Sequence, residues 1–176
     1  PGIKVELEDD RPIEGSEAKL FRSVCMRFGF LSQDWPHLQF ASKEAARLMA
    51  TPTRGGMQRL KRMGRFVKGQ GRVVQEFVLQ EPVTVMKVKV DSDFAGCHRT
   101  RATTSSNYLF HGRHLLRSSS TTQKLLVTST GEGEFAAFVK GCSVGLGAVG
   151  MLMDCGIATK LDVETDSTAA KGIASR

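Results

Sequence analysis

Three acidic residues in this basic chain occupy positions from which they could bind a metal ion together. Asp91 ends a run of alternating valines, Glu134 lies in the first turns of a predicted helix, and Asp166 follows a second predicted strand. If the two strands are neighbours in a sheet, both aspartates leave it at one edge. Crowded carboxylates repel each other unless a cation binds them. The pattern predicts a site for Mg²⁺ or Mn²⁺, which can activate water for attack on a phosphate ester.

The two nearby glutamates have different predicted roles. Glu132 and Glu134 are separated by about 200° around a helix, so they cannot share one site. Ser129 to Glu132 has the form of a capping box, which gives Glu132 a structural role. Glu134 has no such local role and is the ligand candidate. Asp93, two residues after Asp91, is an additional or alternative ligand.

Other interpretations of these residues are open at this point. Acidic residues are common in turns after strands, and Asp166 could cap the helix that follows it. A second metal pattern, formed by Cys97-His98 with His111 and His114, fits no usual zinc spacing. The four cysteines contain no CxxC pair, so reduced thiols are expected.

Positive charge is concentrated in the first part of the chain, and it indicates a nucleic-acid partner. The net charge is +7, and residues 1–72 hold 14 Lys and Arg against 8 Asp and Glu. Residues 51–72 hold seven basic residues and no acidic one. A solvated helix face is the alternative explanation. The candidate nucleic-acid-binding residues are Arg54, Arg59, Lys61, Arg62, Arg65, Lys68 and Arg72.

Composition excludes a disordered chain, because 40% of the 176 residues are hydrophobic. No uninterrupted apolar run reaches the roughly 20 residues of a membrane span, and the amino end lacks the apolar core of a signal peptide. We therefore expect an intracellular protein with no membrane partner.

The spacing of apolar residues predicts three helices in the first part of the chain. The first covers 17–31, is capped by Ser16, and turns Leu20, Val24, Phe28 and Leu31 inward. The second covers 37–50, and the third begins near Thr53 and ends at the glycines around residue 70. Their predicted inward residues are Leu38, Ala41, Ala45, Leu48 and Met49 in the second helix, and Met57, Leu60, Met63 and Val67 in the third.

The second part of the chain predicts the order β-β-β-α-β-α. Strands are expected over 83–91, 106–112, 114–129 and 160–166. A helix is expected from Ser129 to Cys155, and another from Ser167. The predicted inward stripe of the long helix is Phe135, Phe138, Val139, Cys142, Leu146 and Val149. We divide the chain into a polar extension (1–16), a helical region (17–72), a linker (73–82) and an α/β domain (83–176).

The stretches VDSDFAG, STGEGEFAAF and VETDSTAA resemble the ribonuclease H domain of copia-type retrotransposon polyproteins. That family shows S-D-A-D-W-A-G, S-S-x-E-A-E-[YF]-x-A-L and a C/T-D-[NS]-x-[AS]-A strand end. Residues 17–72 resemble the end of the same polyprotein's reverse transcriptase, a thumb- or connection-like region. The ordered match covers roughly 17–176.

The resemblance implies an α+β or α/β fold with a mixed sheet, and hydrolysis of the RNA strand of RNA–DNA hybrids. It places the catalytic and metal-binding acids on Asp91, Glu134 and Asp166, with two Mg²⁺ or Mn²⁺ ions as cofactors. It further implies the reverse transcriptase and integrase of the polyprotein as partners, in a cytoplasmic particle or the nucleus. A fourth metal-site Asp or His would follow Arg176, so the ribonuclease H domain is expected to be incomplete.

The sequence departs from the family at several positions. Glycine replaces alanine at 133, which costs about 1 kcal/mol in a helix. Serine at 118 or 119 replaces a tryptophan, a loss of roughly 3–5 kcal/mol if nothing repacks. These departures favour a second possibility, in which the chain is a decayed, catalytically inactive copy that only binds nucleic acid.

Overall fold

Three helices make up the first unit of the chain, which extends to Gln75. The structure is a computed structural model that describes residues 9–97 and 100–175. Helix α1 covers Gly15–Leu31, and α2 covers Gln39–Ala46 after a short 3-10 turn at Pro36–Leu38. Helix α3 covers Arg54–Gln70.

The start and end of α3 are set by local chemistry. The Thr53 side chain accepts a hydrogen bond from the amide of Gly56 at 3.1 Å, which satisfies one of the free N–H groups of the first turn. The helix ends before Gly71, whose φ of 65° is readily adopted only by glycine. Both boundaries agree with the expected third helix.

The first unit has its own apolar core, built mainly by α1 and α3. Phe21 is fully buried, and so is most of Cys25. Of the inward residues predicted for α1, Phe28 is in the core and Val24 packs against it, but Leu20 is 56% exposed and the neighbouring Phe21 is buried instead. The helix also begins two residues earlier, at Gly15, with Glu14 rather than Ser16 at the N-cap. The core residues are Ile13, Phe21, Cys25, Phe28, Ala45, Leu60 and Met63.

Helix α2 is shorter than the sequence predicted. It ends at Ala46, and the following residues form tighter bonds, from the amide of Leu48 to the carbonyl of Ala45 and from Met49 to Ala46. The Arg22 guanidinium donates to the Met49 carbonyl at 2.9 Å. This contact from α1 satisfies a carbonyl that would also lack a partner in the last turn of the predicted helix 37–50, so it stabilises the turn that follows α2.

The second unit, from Glu76 onward, contains a four-stranded mixed sheet, which confirms the expected mixture of helices and strands. The strands are β1 (Val85–Asp93), β2 (Thr104–His111), β3 (His114–Thr122) and β4 (Lys160–Glu164), in the order β3-β2-β1-β4. β2 is antiparallel to both β1 and β3, whereas β4 is parallel to β1. Helix α4 (Thr130–Asp154) connects β3 to β4, and α5 (Thr168–Ala174) follows. Residues 71–84, between the two sets of elements, form neither helix nor strand.

Strand β3 ends seven residues earlier than predicted, at Thr122. The next residue, Gln123, donates its backbone N–H to the Thr103 carbonyl at 2.8 Å. The chain then leaves the sheet in a series of bends that reach the N-cap of α4 at Ser129. The leucines, valine and threonine of this segment predicted a strand, but Leu125 and Leu126 are 70% and 85% exposed, so no packing holds the segment in the sheet.

Helix α4 contacts the sheet through small residues rather than through the predicted apolar stripe. Its buried positions include Ala137, Gly141 and Gly145. Of the predicted stripe, Phe138 and Val149 pack against the core, but Val139 is 48% exposed and Leu146 is 62% exposed. The sheet side of this core consists of Met86, Val88, Val90 and Leu109, with Leu161 and Val163 of β4 packed against them.

The glycines are required because the helix lies very close to the strands. A Cβ atom at Gly141 would lie 2.2 Å from Val90 Cγ1, and one at Gly145 would lie 2.4 Å from Leu161 Cδ1. The predicted inward face of α4 was wrong at Val139 and Leu146 because the prediction relied on bulky apolar residues, whereas a helix this close to the sheet needs small residues on its inner face.

By length and composition α4 is also long and apolar enough to cross a membrane. Its inner face nevertheless packs on the sheet.

We expect Gly141→Ala to destabilise the protein by about 1–3 kcal/mol, since the added methyl group forces α4 away from Val90. The control is Gly147→Ala on the same helix, where an added Cβ meets nothing within 4 Å. That change should stabilise by about 0.5–1 kcal/mol through helix propensity. Urea unfolding of both variants measures the difference, and two stabilising alanines would contradict the close approach.

Candidate metal centre

The parallel pairing of β1 and β4 places Asp91 beside Asp166. The last paired residues are Lys89 and Glu164, and each aspartate lies two residues further along its own chain. Because the two strands are parallel, both aspartates lie at the same end of the sheet, as expected if these strands are adjacent.

The first turns of α4 supply the third carboxylate. The Ser129 hydroxyl accepts a hydrogen bond from the Glu132 amide at 3.2 Å, which fixes where the helix begins. Glu134 then falls on the same face as Ala137 and Gly141, the face that packs on the sheet. Its side chain is only 7% exposed.

These elements bring three predicted ligands together. One carboxylate oxygen each from Asp91, Glu134 and Asp166 lies within 4.8 Å of the other two. The aspartates are exposed and Glu134 is buried, so the cluster opens to solvent on one side and is anchored on the other. This arrangement could hold a metal ion.

The environment of Glu134 is unfavourable to a carboxylate that has no cation beside it. Burial raises its pKa, and the negative charges of Asp91 and Asp166 raise it further, while the neighbouring Ser92 opposes part of the rise. Its Oε2 atom is buried and makes no hydrogen bond to any residue that the structure describes. A buried oxygen without a partner is costly, and a metal ion at the cluster would satisfy it.

The donor set fits the expected cofactors. All three groups offer carboxylate oxygens, which suit Mg²⁺ and Mn²⁺ better than softer metals. Mg²⁺ in proteins is usually held by one or two carboxylates together with waters and substrate phosphates. Three carboxylates are therefore enough for one ion, and they could share a second with substrate oxygens.

Glu132 has the structural role expected of it, with one difference in detail. Its Oε2 accepts from the backbone N–H of Thr128 at 2.6 Å and from the Thr128 hydroxyl at 3.0 Å. These bonds lower the pKa of Glu132. In a capping box Glu132 would accept mainly from the N–H of the N-cap residue, Ser129. Here it accepts mainly from Thr128, the residue before the N-cap.

The N-cap of α5 is Ser167 and not Asp166, for which this role was the alternative interpretation. Ser167 occupies the N-cap of α5, and its hydroxyl accepts from the Ala170 amide at 3.1 Å. Asp166 lies one residue earlier and is exposed. Its carboxylate is therefore left available to the cluster with Asp91 and Glu134.

Asp93 is not brought into the cluster. It is the last residue of β1, and its carboxylate lies over Gly96, where a Cβ atom would come within 1.8 Å of Oδ2. The metal group found among the described residues contains Asp91 but not Asp93. The structure thus places Asp93 at the end of β1, with its carboxylate beside the turn that follows.

The predicted nucleic-acid-binding residues lie in the first unit, on and just after α3. Arg54, Lys61, Arg65 and Lys68 are exposed and fall within about 60° of one another around the helix. We call these four residues the basic stripe. Arg59 and Arg62 lie further around the helix, and Arg72 follows its end.

The second metal pattern is not assembled in the residues that the structure describes. His98 lies outside them. A ring nitrogen of His111 is 3.1 Å from the Val83 carbonyl, and the His114 ring contacts the Phe77 ring with centroids 5.3 Å apart. Both histidines therefore have structural contacts at the hairpin.

Sequence reasoning did not single out Gln123. Its side-chain nitrogen donates to the Ser105 hydroxyl and to the Gly133 carbonyl, each at 2.8 Å. Gly133 directly precedes Glu134. The available signal was an amide residue between a predicted strand and a helix cap, where backbone groups need partners.

No family model, curated protein or solved structure matches this chain. The carboxylate cluster and the sequence motifs are the features from which a function can be proposed.

We expect Glu134→Gln to stabilise the protein in EDTA at neutral pH. A carboxyl whose pKa is raised by folding reduces stability once pH rises above its unfolded pKa, and the amide removes this effect. The variant should therefore melt at a higher temperature than the parent in EDTA at neutral pH. With millimolar Mg²⁺ or Mn²⁺, the parent should gain stability and the variant should not.

The control is Glu132→Gln, which lies outside the cluster. It should lose a little stability at the cap but keep the response to metal. An equal metal response in parent and Glu134→Gln would contradict the site.

Proposed function

We propose that this chain is part of a copia-type retrotransposon polyprotein and hydrolyses the RNA strand of RNA–DNA hybrids. The observation that supports this most is the carboxylate cluster of Asp91, Glu134 and Asp166. The motif resemblance assigned catalytic roles to these same residues. The element order β-β-β-α-β-α with a mixed sheet is compatible with a ribonuclease H-like fold.

The buried and the exposed acids would have different roles in holding the metal. Glu134 is held rigidly by α4 and the sheet, and would anchor the metal from the protein side. Asp91 and Asp166 are exposed, so their oxygens can hold the metal on the side where a phosphodiester arrives. Bound Mg²⁺ or Mn²⁺ would supply charge stabilisation at the scissile phosphate and an activated water.

The first unit would bind the nucleic-acid backbone. The basic stripe extends along α3 from Arg54 to Lys68, which spans about 21 Å at 1.5 Å per residue. No acidic residue occurs between positions 51 and 72, so the field of the stripe is not cancelled within its own helix. Phosphate contacts of this kind give affinity and position without reading sequence.

One observation favours the alternative, a decayed copy that only binds nucleic acid. Asn107 is 1% exposed, and neither its amide nitrogen nor its amide oxygen has a hydrogen-bond partner among the described residues. A buried amide without partners costs about 1–3 kcal/mol. Asn107 is paired across the sheet with Ser119, one of the two serines at the position of the family tryptophan.

Hydrolysis of a hybrid with a labelled RNA strand, in Mg²⁺ or Mn²⁺, tests the leading proposal. We expect Asp91→Asn, Glu134→Gln and Asp166→Asn each to lower the rate by at least about 100-fold, more than a residue that only orients a ligand. Asp93→Asn is the matched control and should stay within a few-fold of the parent.

Equal cleavage by Glu134→Gln, or cleavage that survives EDTA, would contradict the assignment of the site. If a chain extended by the downstream segment that the resemblance implies binds hybrid but does not cleave it with either metal, the decayed copy is the better description.

We expect the affinity for hybrid to fall steeply with salt. Replacing Lys61 and Arg65 by glutamine should reduce the slope of log affinity against log salt by roughly 2, since each phosphate contact contributes nearly 1. The matched control replaces Lys19 and Arg27 on α1, which removes the same charge. Equal effects of the two double variants would show that the stripe has no special role.

A further inference from the structure

Gln123 connects three parts of the second unit at the end of the sheet that carries the metal site. Its backbone N–H donates to the Thr103 carbonyl, just before β2. Its side-chain nitrogen Nε2 donates to the Ser105 hydroxyl in β2 and to the Gly133 carbonyl in α4. All three distances are 2.8 Å. One residue thus ties the end of β3 to β2 and to the first turns of α4.

The chemistry of the partners fixes the orientation of the amide. The Gly133 carbonyl can only accept, so the NH₂ group of Gln123 must face it. The Ser105 hydroxyl can accept the second N–H of the same group. Ser105 is 2% exposed and lies opposite Ser92 of β1, so the anchor is a buried part of the sheet.

The contact point on α4 is directly connected to the buried ligand. Gly133 and Glu134 share a peptide bond, so holding the Gly133 carbonyl limits rotation and translation of the Glu134 backbone. Glycine has no side chain to pack at this turn, although a Cβ atom at 133 would be in ordinary contact with Thr103 Cγ2 at 3.4 Å, Ser92 Oγ at 3.5 Å and Val127 Cγ2 at 3.6 Å. The side-chain contacts of Gln123 tie this turn to the sheet, in addition to the cap that Ser129 provides.

We propose that Gln123 is a positioning residue that holds the Glu134 carboxylate at the distance from Asp91 and Asp166 that a divalent cation requires. This role rests on the proposed metal site and extends it. Gln123 acts through the peptide of Gly133 and touches neither metal nor substrate. Partners that orient metal ligands in this way typically change metal affinity by 10–100-fold when they are removed.

The test is the dissociation constant of Mn²⁺, measured by calorimetry on the full chain well below its melting temperature. Gln123→Met removes both side-chain hydrogen bonds at similar volume, and should weaken Mn²⁺ binding by about tenfold or more. The matched control is Leu152→Ala, which loosens the packing of α4 on the sheet at the far end of the helix. It should lower the melting temperature but leave Mn²⁺ affinity within twofold of the parent.

A second variant covers the case in which Gln123→Met does not fold. Ser105→Ala leaves the bond to Gly133 but removes the anchor in β2, and should weaken Mn²⁺ binding by a smaller factor, about threefold. Electron paramagnetic resonance of bound Mn²⁺ should also show a less uniform coordination in either variant.

The outcomes separate this role from the metal site itself. If the parent binds Mn²⁺ and both variants bind it equally well, Gln123 is not a positioning residue and the site remains. If Gln123→Met and Leu152→Ala weaken binding in proportion to their loss of stability, the role is only structural and the proposal fails. If the parent and Glu134→Gln both bind no Mn²⁺, the metal site is wrong and this role with it.

Discussion

The close approach of α4 to the central strand is the constraint on which the rest of the second unit depends. Only hydrogen atoms at Gly141 and Gly145 let the helix axis lie so near Val90 and Leu161. The face that carries these glycines also carries Glu134, about two turns before Gly141 and about three before Gly145. A helix held further out by larger side chains would leave Glu134 too far from the strand ends to join Asp91 and Asp166. The close approach of α4 to the sheet therefore determines both the packing of this unit and the position of Glu134 in the carboxylate cluster.

The same geometry makes the site costly to fold without a cation. A buried carboxylate with an unpartnered oxygen, set beside two further negative charges, reduces stability at neutral pH. The surrounding contacts compensate: the Ser129 cap starts the helix, Glu132 secures the turn before it, and Gln123 ties Gly133 to the sheet. Functional sites commonly hold such unfavourable charges because ligand binding needs them.

Much of this could be predicted from sequence, because caps and strand ends follow from local chemistry. Helix boundaries are marked by local residues whatever the tertiary structure is, as at Thr53, Gly71 and Ser129. The patterns of the two predicted strands likewise placed Asp91 and Asp166 at strand ends. The distinction between Glu132 and Glu134 needed only the angle between helix positions and a capping motif. These inferences depend on neighbours in sequence, which the sequence contains.

The errors came from contacts between residues distant in sequence. The inward face of α4 was misassigned because Val139 and Leu146 are larger than the glycines that contact the sheet. After α2 ends at Ala46, the following turn is held by Arg22, 27 residues away, which donates to the Met49 carbonyl. Strand β3 ends where its partner β2 begins: Gln123 makes one more backbone bond, to Thr103, and its side chain then bonds to Gly133 of α4. Periodicity carries no information on which carbonyl a distant side chain will reach.

The central claim is that Asp91, Glu134 and Asp166 bind a divalent cation together. Crystals grown with Mn²⁺ and measured at the manganese absorption edge would test it most directly. We expect an anomalous peak at bonding distance from a carboxylate oxygen of each of Asp91, Glu134 and Asp166. A crystal in which these carboxylates hold no manganese, or in which Glu134 points away from the two aspartates, would contradict it.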